Sequence, residues 1–248
     1  MRWRTLAKTI AVWGSPKSGK TTFATKLARA IYDNYDCKVL CVYTDFETPT
    51  LPVLFPSFKA ENLYSIGKSL SQTDITQECV VTQIVQLKDK MNIGFLGFKD
   101  GENLHTYPQF DREKIQTLYS VIGTLADYVV VDCSSHIGNP LSRIALQMAD
   151  TVIRLATPDL SCISWYVSQI PLYTASSFRL DKQIQGVNTP DEDLFMPVDD
   201  LKAHLPQVSF TIPYCKEVKQ QMLDGKLLFG VGDKKYTDKL KAIAEKII

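Results

Sequence analysis

Eight consecutive residues, Gly14-Ser15-Pro16-Lys17-Ser18-Gly19-Lys20-Thr21, satisfy the spacing G-x-x-x-x-G-K-[ST], and that spacing serves chemistry on phosphates. Its glycines let backbone N–H groups turn inward toward anionic oxygens, and a helix starting at its end adds the positive pole of its dipole. Lys20 is then placed to neutralise the β- and γ-phosphates of a nucleotide, Thr21 to ligate Mg²⁺ and Thr22 to reach the α-phosphate. Two acids further along have matching chemistry. In "KVLCVYTDFETP" an apolar run ends in Asp45 and Glu47, and in "ADYVVVDCSSHIGNP" another ends in Asp132. A carboxylate at the C-terminal end of a parallel strand can hold a Mg²⁺-bound water or orient the water that attacks a phosphoryl group. Asp45 therefore joins Lys20 as a candidate catalytic residue, and Asp45 and Asp132 join Thr21 as candidates at the metal.

Such residues need elements that bring them together. Apolar runs near residues 9–13, 38–43, 92–96, 128–131, 151–156, 182–187 and 208–212 read as strands. Between them, helical spacing is found near 20–33, 75–84, 111–126, 140–148, 160–169, 198–204, 216–223 and 236–247; the first places Phe23, Ala24, Leu27, Ala28 and Ile31 on one face. This alternation predicts an α/β fold, a doubly wound, mostly parallel sheet of about seven strands with helices on both faces. One nucleotide-binding domain is expected over residues 1–248, with 51–91, the stretch of weakest periodicity, as an excursion within it. Residues 176–193 and 226–235 read as surface loops.

Composition removes several alternatives. The 28 basic and 27 acidic residues leave a net charge of +1, so no global field demands nucleic acid or anionic lipid. Cys37, Cys41, Cys79, Cys133, Cys162 and Cys215 form no C-x-x-C pair, which fits reduced thiols in a cytoplasmic protein rather than disulfides or a metal cage. No stretch reaches the roughly 18 apolar residues of a membrane span. His136 lies near Asp132 and is weighed as a γ-phosphate sensor against an ordinary loop residue; His105 and His204 read as surface residues, and Cys133 as a packing residue. The terminal "KYTDKLKAIAEKII" reads as a docked helix in preference to a membrane-surface one.

With the loop and both acidic strand ends in order, the chain resembles the ParA/MinD class of P-loop ATPases over nearly its whole length. "KVLCVYTDF" is similar to the family's K-V-L-L-V-D-x-D-P, which puts Asp45 on its water-activating Asp and Tyr43 on the first Asp of the pair. "DCSSHIG" is similar to D-C-P-P-S-L-G, with Ser134 and Ser135 in place of the prolines. "MADTVIRLATPDLSCI", "FTIPYCKEVKQQMLDGKLL" and "NIGFLGFKDGEN" resemble further family segments, Cys215 standing where the second has Asp. The resemblance implies ATP and Mg²⁺ as ligands, Asn188 as an adenine-reading residue, the backbone near Pro213 and Tyr214 closing the base pocket, and a nucleotide-dependent homodimer. The family reads G-K-G-G-x-G-K-T in the loop, its first lysine crossing the dimer interface; here Ser15 holds that position and Pro16 and Lys17 replace the glycines. Altered loops also occur in a TadZ/CpaE-like branch.

Three functions remain open at this level: a slow ATP hydrolase that switches between monomer and dimer to position or partition a cargo, a non-hydrolysing nucleotide-gated localisation module for a pilus, secretion or conjugation apparatus, and a non-specific DNA binder. The near-neutral charge disfavours the last. The protein partner is not specified.

Overall fold

The computed structural model describes residues 6–59, 63–103, 105–107, 110–189, 191–192, 196–205 and 207–248. Of the segments read above, the first five residues, positions 60–62 of the 51–91 excursion and positions 190 and 193 of the 176–193 loop lie outside the described residues. The chain opens with β1 (Lys8–Gly14), whose alternate residues are buried on both sides: Ile10 and Val12 in one core, Ala11 and Trp13 in the other. A strand buried on both faces belongs at the centre of a parallel sheet, and β1 is there.

Around it lie α1 (Lys20–Asn34), β2 (Val39–Tyr43), three short helices α2 (Leu51–Leu54), α3 (Ile66–Leu70) and α4 (Gln77–Val81), then β3 (Val85–Leu87), β4 (Lys90–Leu96), α5 (Arg112–Ile122), β5 (Tyr128–Asp132), α6 (Pro140–Met148), β6 (Thr151–Ala156), α7 (Leu160–Gln169), β7 (Ile184–Asn188), α8 (Val198–His204), β8 (Val208–Ile212), α9 (Lys216–Leu223) and α10 (Lys234–Ile247). The sheet order is β3-β4-β2-β5-β1-β6-β7-β8, all pairs parallel except β3 with β4. The eighth strand, β3, is the one the apolar pattern did not predict; three residues carry too little alternation to be seen. The reading of 176–193 as one surface loop is corrected as well. Ser176–Phe178 and Leu180–Lys182 are 3₁₀ turns and β7 follows, its last four residues buried between β6 and β8.

Helices cover both faces. α1 and α10 bury Phe23, Leu27, Ile31, Leu240 and Ile243 on one side, while α5 and α6 bury Ile115, Leu118, Leu141 and Ile144 on the other. The C-terminal helix is thus docked through Tyr236, Leu240, Ile243, Ala244 and Ile247. Among the described residues no helix is long and apolar enough to cross a membrane. All six cysteines are free.

Candidate functional site

Strand order places the loop after β1 between the ends of β5 and β6, with β2 one strand beyond β5. The strands stay parallel here, but the order in which the chain adds them reverses at β1, with β2 on one side and β6 on the other, and open α/β sheets bind ligands at such a switch point. Gly14 closes β1 with its Cα facing the carbonyl of Leu155, so near that a Cβ there would lie 2.0 Å from the oxygen. Gly19, at φ 77, precedes α1, and a Cβ on it would lie 2.4 Å from Asn188 Nδ2. Glycine is required at both points by contact and by a positive φ, 152° at Gly14 and 77° at Gly19. Between them Lys17 takes φ 62 although it carries a side chain, a conformation that costs such a residue roughly 1–2 kcal/mol.

Asp132 is the last residue of β5, and the register sets it beside Val12 on β1 and Tyr43 on β2. Its backbone carbonyl accepts from Thr44 N at 3.1 Å and Thr44 Oγ1 at 2.9 Å. Asp132 is 4% exposed. Thr21 Oγ1 donates to Oδ2 at 2.6 Å, while Oδ1 is buried with no partner. Burial pushes the Asp132 pKa up to about 6 against the downward pull of the Thr21 hydroxyl and the Lys20 charge. Burial also lowers the pKa of Lys20, opposed by Asp132 and Asp45. Lys20 Nζ donates to Ser15 O at 2.8 Å and to Ser135 Oγ at 2.7 Å, joining the loop to the segment after β5.

Asp45 is half-buried just beyond β2, where its Oδ1 accepts from the backbone N–H of Glu47 and Thr48 at 2.8 and 3.0 Å. That turn fixes the carboxylate. A hydroxyl network fixes the facing segment: Ser142 Oγ accepts from Ser134 N at 2.8 Å and bonds Thr44 Oγ1 at 2.7 Å, and Asn139 Nδ2 donates to Thr44 O at 2.8 Å. Asn139 also caps α6 through Ser142 N, ahead of Pro140.

Two cavities meet this loop. One of about 500 Å³ is lined by Pro16, Lys17, Lys20, Thr21, Asp45, Glu47 and Asp132, with Ser134, Ser135, His136, Trp165 and Gln169 completing its wall. The other, about 240 Å³, is bounded by Gly19, Thr22, Asn188, Pro213, Cys215, Val218, Met222 and Tyr236. Asn188 also donates to Ser18 O at 2.9 Å. Tyr214 is half-buried and does not line this cavity; Cys215, the next residue, does.

Ser15 and Ser18 turn inward, 1% and 0% exposed, and neither hydroxyl has a hydrogen-bond partner. Ser15 faces the Cys162 thiol of α7, near enough to counter part of the rise that burial causes in that thiol, without reaching hydrogen-bond geometry. Tyr43 is fully buried on the α1 side, its hydroxyl 2.9 Å from Thr25 Oγ1. All three histidines are exposed, and of them His136 lines the larger cavity.

Ser135, Trp165, Gln169 and Cys215 line the site without having been marked as ligand groups in the sequence. For Ser135 a signal existed, the departure of "DCSS" from the resembling pattern; Trp165 and Gln169 come from a helix whose spacing shows only a buried face.

A phosphate loop at the C-terminal edge of a parallel, doubly wound sheet defines the class of an α/β P-loop nucleoside-triphosphatase fold. Within that class the chain has the fold of the ParA/MinD ATPases. It aligns with a ParA family ATPase from Chlorobium tepidum TLS at TM-score 0.76 and 15% identity, covering 97% of this chain and 98% of that one. Against the septum site-determining protein MinD complexed with Mg-ADP from Pyrococcus horikoshii OT3 the TM-score is 0.73 at 17% identity, over 98% and 96% of the two chains. Against a complex of Cyanothece McdA with ATP it is 0.70 at 15%, over 98% and 97%. No protein-family model and no curated protein matches the sequence.

Proposed function

We propose that this chain is a cytoplasmic Mg²⁺-ATP-binding ATPase of ParA/MinD type, a slow hydrolase whose nucleotide state controls homodimerisation and thereby positions or partitions a cargo. The observation that carries the reading is the pair formed by Thr21 and Asp132. A buried carboxylate oxygen without a partner, beside a hydroxyl already oriented toward its twin, suits a cation held by few protein oxygens. Among the described residues no group of three or more His, Cys, Asp or Glu could cage a metal. That fits Mg²⁺, which keeps waters and shares substrate phosphates. Bound between Thr21 and Asp132, Mg²⁺ would offset charge on the β- and γ-phosphates.

This chain's own residues have the remaining tasks. Lys20 exchanges the Ser15 carbonyl for phosphate oxygens. Gly14 to Thr22 supply the cradle, and Asp45, held by its turn, orients the attacking water. Asn188, Pro213 and Cys215 bound the smaller cavity, whose apolar Val218, Met222 and Tyr236 suit a planar base. Lys20→Ala is expected to abolish binding of ATP; unchanged affinity in that variant sinks the assignment.

The buried Ser15 favours a second reading, a nucleotide-gated assembly module with negligible turnover, because no lysine leaves the loop at that position. Size-exclusion chromatography of wild type and Asp45→Ala with and without ATP, followed by phosphate release on the same samples, separates the two. Turnover lost in Asp45→Ala supports the ATPase, and tight binding without turnover supports the module. A monomer under every condition removes the dimer from both.

A further inference from the structure

We propose that Lys17 contacts the γ-phosphate of the nucleotide held by its own chain, serving in cis as the second cation of the site; the inference rests on the nucleotide reading above. Lys17 is exposed at the loop tip, at φ 62. It stands on the wall of the cavity that Lys20, Thr21, Asp45 and Asp132 share. Among the described residues no hydrogen bond or ion pair engages it, whereas Lys20 donates to Ser15 O and Ser135 Oγ.

Placement in the loop selects the terminal phosphate. Lys17 lines the cavity away from Asn188, Pro213 and Val218, while Gly19 and Thr22 line the cavity that holds those residues. A nucleotide whose base enters the smaller cavity runs its phosphates past Gly19 toward Lys17, with the last of them farthest from the base. Charge favours the same contact, because three carboxylates, Asp45, Glu47 and Asp132, share the larger cavity with only two lysines. A triphosphate adds anionic charge there, and a free ammonium at the mouth offsets it. Ser15 cannot supply that cation, and its side chain is turned into the protein against Cys162.

In hydrolysis the bond from the γ-phosphorus to the β–γ bridging oxygen breaks as a bond to the water oxygen forms; ADP keeps the bridging oxygen, and the water's protons are shared between inorganic phosphate and solvent. Lys17 transfers no proton and offsets charge only. Turnover by each protomer then requires no lysine from a second copy.

The test titrates wild type, Lys17→Gly and Lys17→Arg with ADP and with the β,γ-imido analogue of ATP, each with Mg²⁺. Glycine suits a positive φ, so Lys17→Gly does not fail through backbone strain. In Lys17→Gly the analogue should bind about tenfold or more weaker with ADP within about twofold of wild type, and Lys17→Arg should recover the analogue. Equal loss of both nucleotides, or loss of neither, overturns the proposal. Mixing Lys17→Gly with Lys20→Ala, which keeps Lys17 beside a disabled site, should restore neither analogue affinity nor phosphate release; restoration makes the contact intermolecular and overturns it. Wild type that binds neither nucleotide overturns the nucleotide reading and this inference with it, whereas wild type that binds both beside an unchanged Lys17→Gly overturns this inference alone.

Discussion

Asp132→Asn should make the ligand-free protein more stable while disabling its site. Asp132 sits at the end of β5, 4% exposed, with one oxygen on the Thr21 hydroxyl and the other unpartnered. Burial raises its pKa from 3.8 to about 6. In the window between these values the unfolded chain has released the proton and the folded chain still holds it, so stability falls as pH rises. A gap of about two units amounts to about 3 kcal/mol, fully felt above about pH 6 and absent below about pH 4. Asparagine removes the charge, keeps an acceptor for Thr21 and sets an amide where Oδ1 has no partner. Because 1 kcal/mol moves Tm by about 2–4 °C in a chain of this size, the variant should melt about 6–12 °C higher at pH 8 in a chelator, and level with wild type near pH 4. Adding Mg²⁺-ATP at about a hundred times its Kd should stabilise wild type by about 2.7 kcal/mol and the variant far less. Thermal melts across this pH range decide it: a variant less stable than wild type at pH 8, or a gap that does not change with pH, refutes the reasoning.

Other changes test the frame around the site. Gly14→Ala forces a Cβ to within 2.0 Å of the Leu155 carbonyl, so a loss above about 4 kcal/mol is expected; a soluble variant with wild-type melting would contradict the packing of β1 on β6. Tyr43→Phe deletes a hydroxyl bonded to Thr25 Oγ1, while the Thr25 hydroxyl still donates to Thr21 O at 2.7 Å. The cost should be about 1 kcal/mol in urea unfolding, with phosphate release intact, and a tenfold fall in turnover would instead give Tyr43 a chemical role. Lys26, 2% exposed, donates to Phe229 O at 2.8 Å and to Gln221. Lys26→Ala leaves a cavity and an unpaired carbonyl beside α9, costing about 2–4 kcal/mol, and a melt unchanged from wild type would show those bonds to be dispensable.

Seven strands and eight helices were legible because each carries its own periodicity: an apolar run or a stripe every three to four residues needs no knowledge of neighbours. β3 escaped for want of length, and so did the short helices α2 and α3, the latter held by its Ser65 cap more than by any apolar stripe; α4, capped by Thr76, fills only part of the helix expected over 75–84. The loop was legible for a similar reason. Its chemistry is local, so Gly14, Gly19, Lys20 and Thr21 could be assigned from spacing alone. Asp45 and Asp132 could be named as strand-end acids, but their approach to Thr21 depends on β5 lying between β1 and β2, a matter of sheet order.

By itself, then, the sequence determined the class of fold, the phosphate loop and the acids that could serve it, since all three are written in contiguous residues. Tertiary structure alone decided where side chains point. It turned Ser15 inward against Cys162, left Lys17 at the cavity mouth, tied Lys20 to Ser135 and brought Cys215 beside Asn188. Each of these follows from backbone angles and from neighbours distant in the chain, which no local pattern encodes.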